Sequence, residues 1–399
     1  MRLLFVASRF PYPPRYGDQV RGFHHLRILS RRHQIALVSP PPEAGGKEAL
    51  AAVEPFCDQM HLVRSSVGRG LLRLMRAPLT SLPFQTLYFC DPHLRRQVLT
   101  LLRAQRFDLL HVQMVRMAPV AHNLDAQIPM VLDFIDALSV NMAHRARRGF
   151  TPQALVAGWE SQRIQSYERR LVQRYDQLVI SSPLDRKAIG EFNNLHVVPN
   201  GVDLEVYPFV RDGRETATLV FTGTMWYFPN VDAASWFVTS VLPLVCRQVS
   251  ETRLLVVGAR PAPAVQRLAC PPHVIVTGHV PSVQDYLARA TIAVAPMQSG
   301  SGMQFKVIEA MASGAPVVAT PYALGGLEAV DGEHLLVAHD AESFAECVVR
   351  LLRNPELRRQ LAMNARKLVE EKYAWEQTVE QLEAVYGLAV SMRQLVYNV

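Results

Sequence analysis

Long apolar runs are missing from this sequence: none reaches the roughly 18 residues that a bilayer-spanning helix requires. The apolar part of the first segment, Leu3 to Ala7, is too short for the core of a secretion signal and reads as a first strand. A cytoplasmic location is expected. Cysteine is scarce. The five thiols (Cys57, Cys90, Cys246, Cys270 and Cys347) are scattered, odd in number and form no C-x-x-C, which argues against a disulfide framework or a zinc site and for buried free thiols. The opening strand, loop and helix lack G-x-G-x-x-G, so no dinucleotide cofactor is indicated. Nucleic-acid motifs and interleaved aromatic and basic residues are absent too, so no nucleic-acid partner is expected.

What is present is enough apolar material for two cores: 399 residues, 49% of them hydrophobic. The net charge of +7 is uneven. Residues 1–200 carry 26 Lys and Arg against 15 Asp and Glu, and the remainder carries 16 against 20. Excess positive charge on one half suggests an anionic partner, either a membrane surface or a pyrophosphate-linked acceptor; a solvated arginine-rich face is the alternative. Within that half, Ser65 to Leu82 sets Arg69, Arg73 and Arg76 among Leu71, Leu72, Leu74 and Met75. The pattern is that of a short basic amphipathic helix lying on a membrane, or of an ordinary surface helix.

The first half reads as alternating strands and helices. Leu3 to Ala7 leads through a Pro- and Gly-rich loop to a helix expected over 19–32, with Gly17 placed for close backbone approach to a diphosphate. Strands are expected at 35–39, 59–63, 107–112, 129–134, 177–181 and 195–198, and a long helix over 153–174. Asp133 and Asp136 lie at the C-terminal end of a parallel strand, where open α/β sheets bind ligands. Either positions a sugar hydroxyl or steadies a cationic transition state, or else one caps the next helix. Residues 199–216 mix Pro, Gly, Asp and Arg without periodicity and read as an interdomain connection.

A second series follows. Its strands end in glycine or polar turns, at Gly223, at Gly258 and at Gly278-His279-Val280. The most informative stretch is Thr291 to Thr320, TIAVAPMQSGSGMQFKVIEAMASGAPVVAT. An apolar run, Ile292 to Ala295, suits a buried parallel strand. The loop holds Gly300 and Gly302, a helix is expected over 303–313, and Gly314 is placed to end it. Ser301 and Gln304 have capping-box spacing, which makes Ser301 the expected N-cap. A strand, a glycine-bearing turn and a helix N-terminus form an anion site. Lys306 and Glu309, one helical step apart, add a cation and a carboxylate to it.

The order V-P-N-G-V-D (Val198 to Asp203), F-T-G-T-M-x-x-x-P-N (Phe221 to Asn230), G-x-V (Gly278 to Val280) and S-G-S-G-M-Q-F-K-V-I-E-A-M-A-S-G-A-P-V-V-A-T (Ser299 to Thr320) resembles the retaining GT-B glycosyltransferases of the group 1, family-four type. Within these it is most similar to sugar transferases of bacterial exopolysaccharide clusters. The resemblance implies an α/β fold of two Rossmann-like domains with parallel sheets facing a central cleft. Residues 1–200 would bind acceptor, residues 201–372 would bind the nucleotide sugar, and a C-terminal helix over 373–399 would pack back on the first domain. It implies transfer of a hexosyl unit from a UDP- or GDP-sugar to a glycan or lipid-linked acceptor at the inner face of the cell membrane. Neither metal nor cofactor would be needed. Lys306 would neutralise the diphosphate and Glu309 would bond the ribose. Backbone at Gly300, Ser301, Gly302 and Met303, with Gly223, Gly278, His279 and Val280, would line the donor, and Gly17 would meet the diphosphate.

Three departures are visible. The family's E-x7-E pattern has its first Glu where this chain has Ser301. Gly223 to Asn230 lacks the Arg and Lys common there, and the strand reaching Asp133 and Asp136 lacks a frequent His. A nucleotide-sugar epimerase, a sugar phosphorylase or a non-catalytic nucleotide-binding subunit on the same fold are the alternatives.

Overall fold

A computed structural model describes residues 1–64, 67–89, 91–122, 124, 128–146, 151–299 and 302–397, with the side chains at 67, 78 and 395–397 excepted. The chain divides into two compact units, Met1–Asn200 with Thr378–Val399, and Gly201–Gln377.

The first unit is built on seven strands: β1 (Arg2–Val6), β2 (Gln34–Ser39), β3 (Gln59–Leu62), β4 (Leu109–Gln113), β5 (Met130–Ile135), β6 (Gln177–Ile180) and β7 (Leu195–Val197). Every pairing is parallel, in the order β3-β2-β1-β4-β5-β6-β7. A parallel strand buried on both faces has to be apolar throughout, and β1 meets this with Leu3, Leu4, Phe5 and Val6 all at 0% exposure. The second unit repeats the scheme with six: β8 (Thr218–Thr222), β9 (Arg253–Val257), β10 (Val274–Gly278), β11 (Ile292–Ala295), β12 (Val317–Ala319) and β13 (Leu336–Val337). Their order is β10-β9-β8-β11-β12-β13, again all parallel. In both sheets the chain winds outward one way from the first strand and then crosses to its other side. The loops after β1 and β4, and after β8 and β11, therefore flank the points where ligands bind in such sheets.

Helices fill the connections, with some differences from the sequence reading. The first runs over Gly17–Leu29, two residues earlier than the pattern suggested. Among the described residues of the basic stretch, Val67–Leu74 is α-helical and Ala77–Leu79 forms a 3-10 turn. The helical segment after β8 is in three pieces: Phe228–Trp236, a π-helical Phe237–Val241 and Leu242–Cys246. Pro243 has no N–H to offer the turn before it, which accounts for the widened segment. No helix among the described residues is long and apolar enough to cross a membrane.

The last helix, Trp375–Tyr397, lies mostly in the first unit. There the Tyr386 hydroxyl meets His111 Nδ1 at 2.9 Å, and Arg393 donates to Asp176 at 2.7 Å. Beside these sits a wholly buried guanidinium. Arg21, at 0% exposure, donates from Nε to Asp133 Oδ2 at 2.6 Å and from its other nitrogens to the Val198 and Pro199 carbonyls and to Asn200 Oδ1, at 3.0 to 3.1 Å. A buried charge is tolerated when it is paired and hydrogen-bonded in this way, and is costly when its partner is removed. Arg21→Met, which leaves the Asp133 carboxylate unpaired, is expected to destabilise the protein by about 3–5 kcal/mol. Arg21→Met combined with Asp133→Leu should recover much of that loss. Thermal unfolding of the two variants beside the parent checks both.

Candidate functional site

In the second unit, the switch point lies between β8 and β11, and two loops converge on it. After β8 the chain turns at Gly223 (φ +153°), where an added Cβ would stand 2.7 Å from Asn230 Nδ2. Glycine at this position lets Asn230 fold back. Asn230 is only 5% exposed, and its amide donates to Thr224 O at 3.0 Å, which turns its carbonyl oxygen outward as an acceptor. After β11 the loop leads to the helix Phe305–Ala312. Gly325 braces that loop from behind: an added Cβ there would lie 2.0 Å from the Gly302 carbonyl.

Lys306 joins the two loops. Its ammonium donates to Asn230 Oδ1 at 2.9 Å and to Gln304 Oε1 at 3.2 Å, and lies 5.6 Å from the centroid of the Phe221 ring. Burial lowers its pKa from the usual lysine range to about 8, against the opposing pull of Glu309. Asn230, Gln304 and the ring are all uncharged, so the ammonium keeps its charge unneutralised by any of them. Glu309, one step further along the helix, has its pKa raised by burial, while a hydrogen bond from the Tyr207 hydroxyl and the nearby Lys306 charge work the other way. The same burial, followed by the Glu309 charge, holds the Tyr207 phenol well above its ordinary pKa. The far end of the helix is anchored by Arg366, which donates to the carbonyls of Ala312 and Tyr207 at 2.8 and 3.0 Å. A partly desolvated cation beside a helix N-terminus, with a carboxylate on the same helix face, suits a ligand carrying both anionic and hydroxyl groups.

The structure distributes the other sequence candidates as follows. Gly223, Gly278 and Gly302 occupy turns with positive φ, His279 is exposed and Val280 half-buried. Met303 is 6% exposed and packs into the core. Gly300 and Ser301 lie outside the described residues. The helix starts two residues later than expected, and its N-cap is Gln304 rather than Ser301, with no side-chain cap. Asn230 and Tyr207 were not singled out from the sequence, although Asn230 ends the F-T-G-T-M-x-x-x-P-N block.

In the first unit, Gly17 is the exposed first residue of its helix. Asp133 and Asp136 part company. Asp133 is at 0% exposure with Arg21 on one oxygen and the Ile135 N–H on the other, so it is a core ion-pair partner and not a substrate contact. Asp136 is half-buried and accepts from the Ser181 hydroxyl at 3.3 Å; burial and the neighbouring Asp185 raise its pKa to about 7. Beyond β1 and β4, Asp18 is shared by two guanidiniums, Arg9 at 3.2 Å and Arg116 at 3.1 Å, and Arg9 also lies 3.9 Å from Glu43, so two cations meet two carboxylates at this switch point. Among the described residues, one cluster brings metal-capable atoms within 4.8 Å of one another: His25, His111 and Asp133. It is wholly buried, and the Arg21 guanidinium already on Asp133 would repel a metal cation.

Comparison with known proteins agrees with this layout. Residues 21–201 match a glycosyl transferase 4-like domain, and residues 216–354 match the glycosyl transferases group 1. An uncharacterized 44.6 kDa protein in the cps region of Klebsiella pneumoniae is 19% identical over 93% of this chain and 96% of its own length. The chain spans little more than half the length of further curated relatives. Sucrose-phosphate synthase from Thermosynechococcus elongatus superposes with a TM-score of 0.70 at 18% identity, over 100% of both chains. The Anabaena protein Alr3699/HepE, solved in complex with UDP-glucose, superposes with a TM-score of 0.66 at 14% identity over 97% of this chain and 99% of its own. Two parallel α/β units, each with its switch point, and two adjoining family matches lead to one conclusion: the chain is a glycosyltransferase of the group 1 family, with the GT-B fold.

Proposed function

We propose that the protein is a retaining hexosyltransferase. In this reading it moves a hexosyl unit from a UDP- or GDP-sugar to a glycan or lipid-linked acceptor during synthesis of bacterial exopolysaccharide or another cell-surface polysaccharide, at the inner face of the cell membrane. The observation that carries this is the Lys306 ammonium, set 2.9 Å from Asn230 at the β8–β11 switch point. The UDP-glucose complex of a structural neighbour supports the donor class, and the cps-region relative supports the polysaccharide setting.

The chemistry follows from the residues. The bond between the sugar's anomeric carbon and the diphosphate oxygen breaks, and the nucleoside diphosphate leaves with the electron pair. A new bond forms from that carbon to an acceptor oxygen, whose proton is released. Charge grows on the diphosphate as it leaves, and Lys306 with the N-terminus of helix Phe305–Ala312 opposes it without a metal ion. Glu309 accepts hydrogen bonds from the nucleotide ribose. In the first unit, Asp136, whose pKa is raised by burial and by Asp185, is suited to take the acceptor proton.

A panel of nucleotide sugars incubated with a lipid-linked acceptor tests the assignment. Lys306→Ala and Glu309→Ala are each expected to lower turnover by about 10²- to 10³-fold. Full activity in either variant removes that residue from the mechanism. Release of nucleoside diphosphate without acceptor argues for other chemistry, and tight nucleotide binding with no transfer argues for a non-catalytic subunit.

Donor binding should also depend on pH with a definite sign. The diphosphate of an intact nucleotide sugar keeps its charge across the neutral and alkaline range, so the titrating partner is Lys306. Below a pH of about 8 the lysine is charged before donor arrives. Above it, binding has to take up a proton, and affinity falls as pH rises. Titration calorimetry should show this decline in the parent and none in Lys306→Met.

A further inference from the structure

The N-terminal unit carries an apolar and basic surface that the transferase reading does not use. Leu71 and Leu72, at the end of helix Val67–Leu74, and Met75 and Leu79 just beyond it are 57, 64, 74 and 89% exposed. The helix Pro152–Leu171 lies against the same segment. Its Arg163 donates to the Ala77 and Thr80 carbonyls at 3.1 and 2.7 Å, and its Trp159 ring meets Phe84 at 5.1 Å. From this second helix, Leu155, Val156 and Trp159 are 68, 54 and 47% exposed. These seven are most of the twelve exposed large apolar side chains described in the unit, so the exposure is concentrated in one region. Apolar exposure gathered in this way marks an interaction site.

The charges around it have one sign. Residues 59–90 and 137–159 contain no Asp or Glu. The two glutamates of the longer helix point inward, Glu160 at 4% and Glu168 at 0% exposure. Arg69 and Arg170 are exposed on these two helices, Arg64 and Arg76 in the segments flanking the first, and Arg145 on the preceding helix Leu138–Ala146. A second copy of the chain would set arginines against arginines here with no carboxylate between them, which disfavours self-association. An anionic lipid surface supplies both requirements, an acyl boundary for the leucines and tryptophan and phosphates for the guanidiniums.

We propose that these two helices form a docking surface for an anionic lipid bilayer, with Leu71, Leu72, Met75, Leu79 and Trp159 entering the headgroup–acyl boundary. The proposal deepens the lipid-linked acceptor of the previous section but needs neither donor nor acceptor to be tested. Co-sedimentation of the full chain is measured with vesicles rich in phosphatidylglycerol and with vesicles of phosphatidylcholine alone. Partitioning is expected to be about tenfold or more stronger on the anionic vesicles and to weaken with salt. The triple variant Leu72→Ser, Met75→Ser, Leu79→Ser should lose about tenfold of that binding. All three side chains are already exposed, so its unfolding midpoint should match the parent's. Tryptophan emission should shift to the blue on anionic vesicles in the parent, and less so in Trp159→Phe. Equal partitioning on the two vesicles overturns the proposal. So does unchanged binding in the triple variant, or a concentration-dependent dimer that the variant abolishes. Nucleotide binding by the triple variant, measured in parallel, reports on the transferase reading separately.

Discussion

The second unit is organised around a lysine kept partly out of water. At the β8–β11 switch point the loops that follow the two strands converge, and Lys306 joins them. The charge there depends on several things being correct together: β11 adjacent to β8, Gly223 without a Cβ, Asn230 folded back with its oxygen outward, and a helix that starts at Phe305. Neutral partners solvate the ammonium without cancelling it, so it is available to an anion. Full neutralisation by a carboxylate would have made a structural ion pair instead, and the first unit shows one in Arg21 and Asp133.

That contrast explains how the positive charge of the first half is distributed. Arg21 is consumed by the core, and Arg9 and Arg116 are matched by Asp18 and Glu43 at a switch point. The arginines around the two exposed helices face solvent beside leucines. One excess of charge in the sequence thus resolves into three physical roles, set by burial and by the number of carboxylates within reach. Net charge alone has no means of separating them.

Much of the architecture was legible in advance, because parallel strands buried on both faces announce themselves as apolar runs such as Ile292 to Ala295, and because glycine punctuates their ends. The placing of Lys306 and Glu309 on one helix was legible as well, since their spacing is local. What escaped was tertiary. Asn230 is 76 residues from Lys306, and Arg21 is 112 residues from Asp133. With Arg21 unseen, Asp133 looked like a ligand for substrate when it is a buried partner. The helix start moved from the expected Ser301 cap to Gln304 because spacing describes a capping box without showing that the chain adopts it. The basic stretch shortened to Val67–Leu74 for a related reason: arginines and leucines over Ser65 to Leu82 indicate amphipathicity, but Pro78 and the turn at Ala77–Leu79 limit how far the helix extends.

The most direct test of the account is a structure determined with a nucleoside diphosphate bound. The diphosphate is expected at the C-terminal ends of β8 and β11, with a phosphate oxygen within hydrogen-bonding distance of Lys306 Nζ and a ribose hydroxyl on Glu309. A nucleotide seated elsewhere in the unit, with Lys306 still turned only to Asn230 and Gln304, would contradict it.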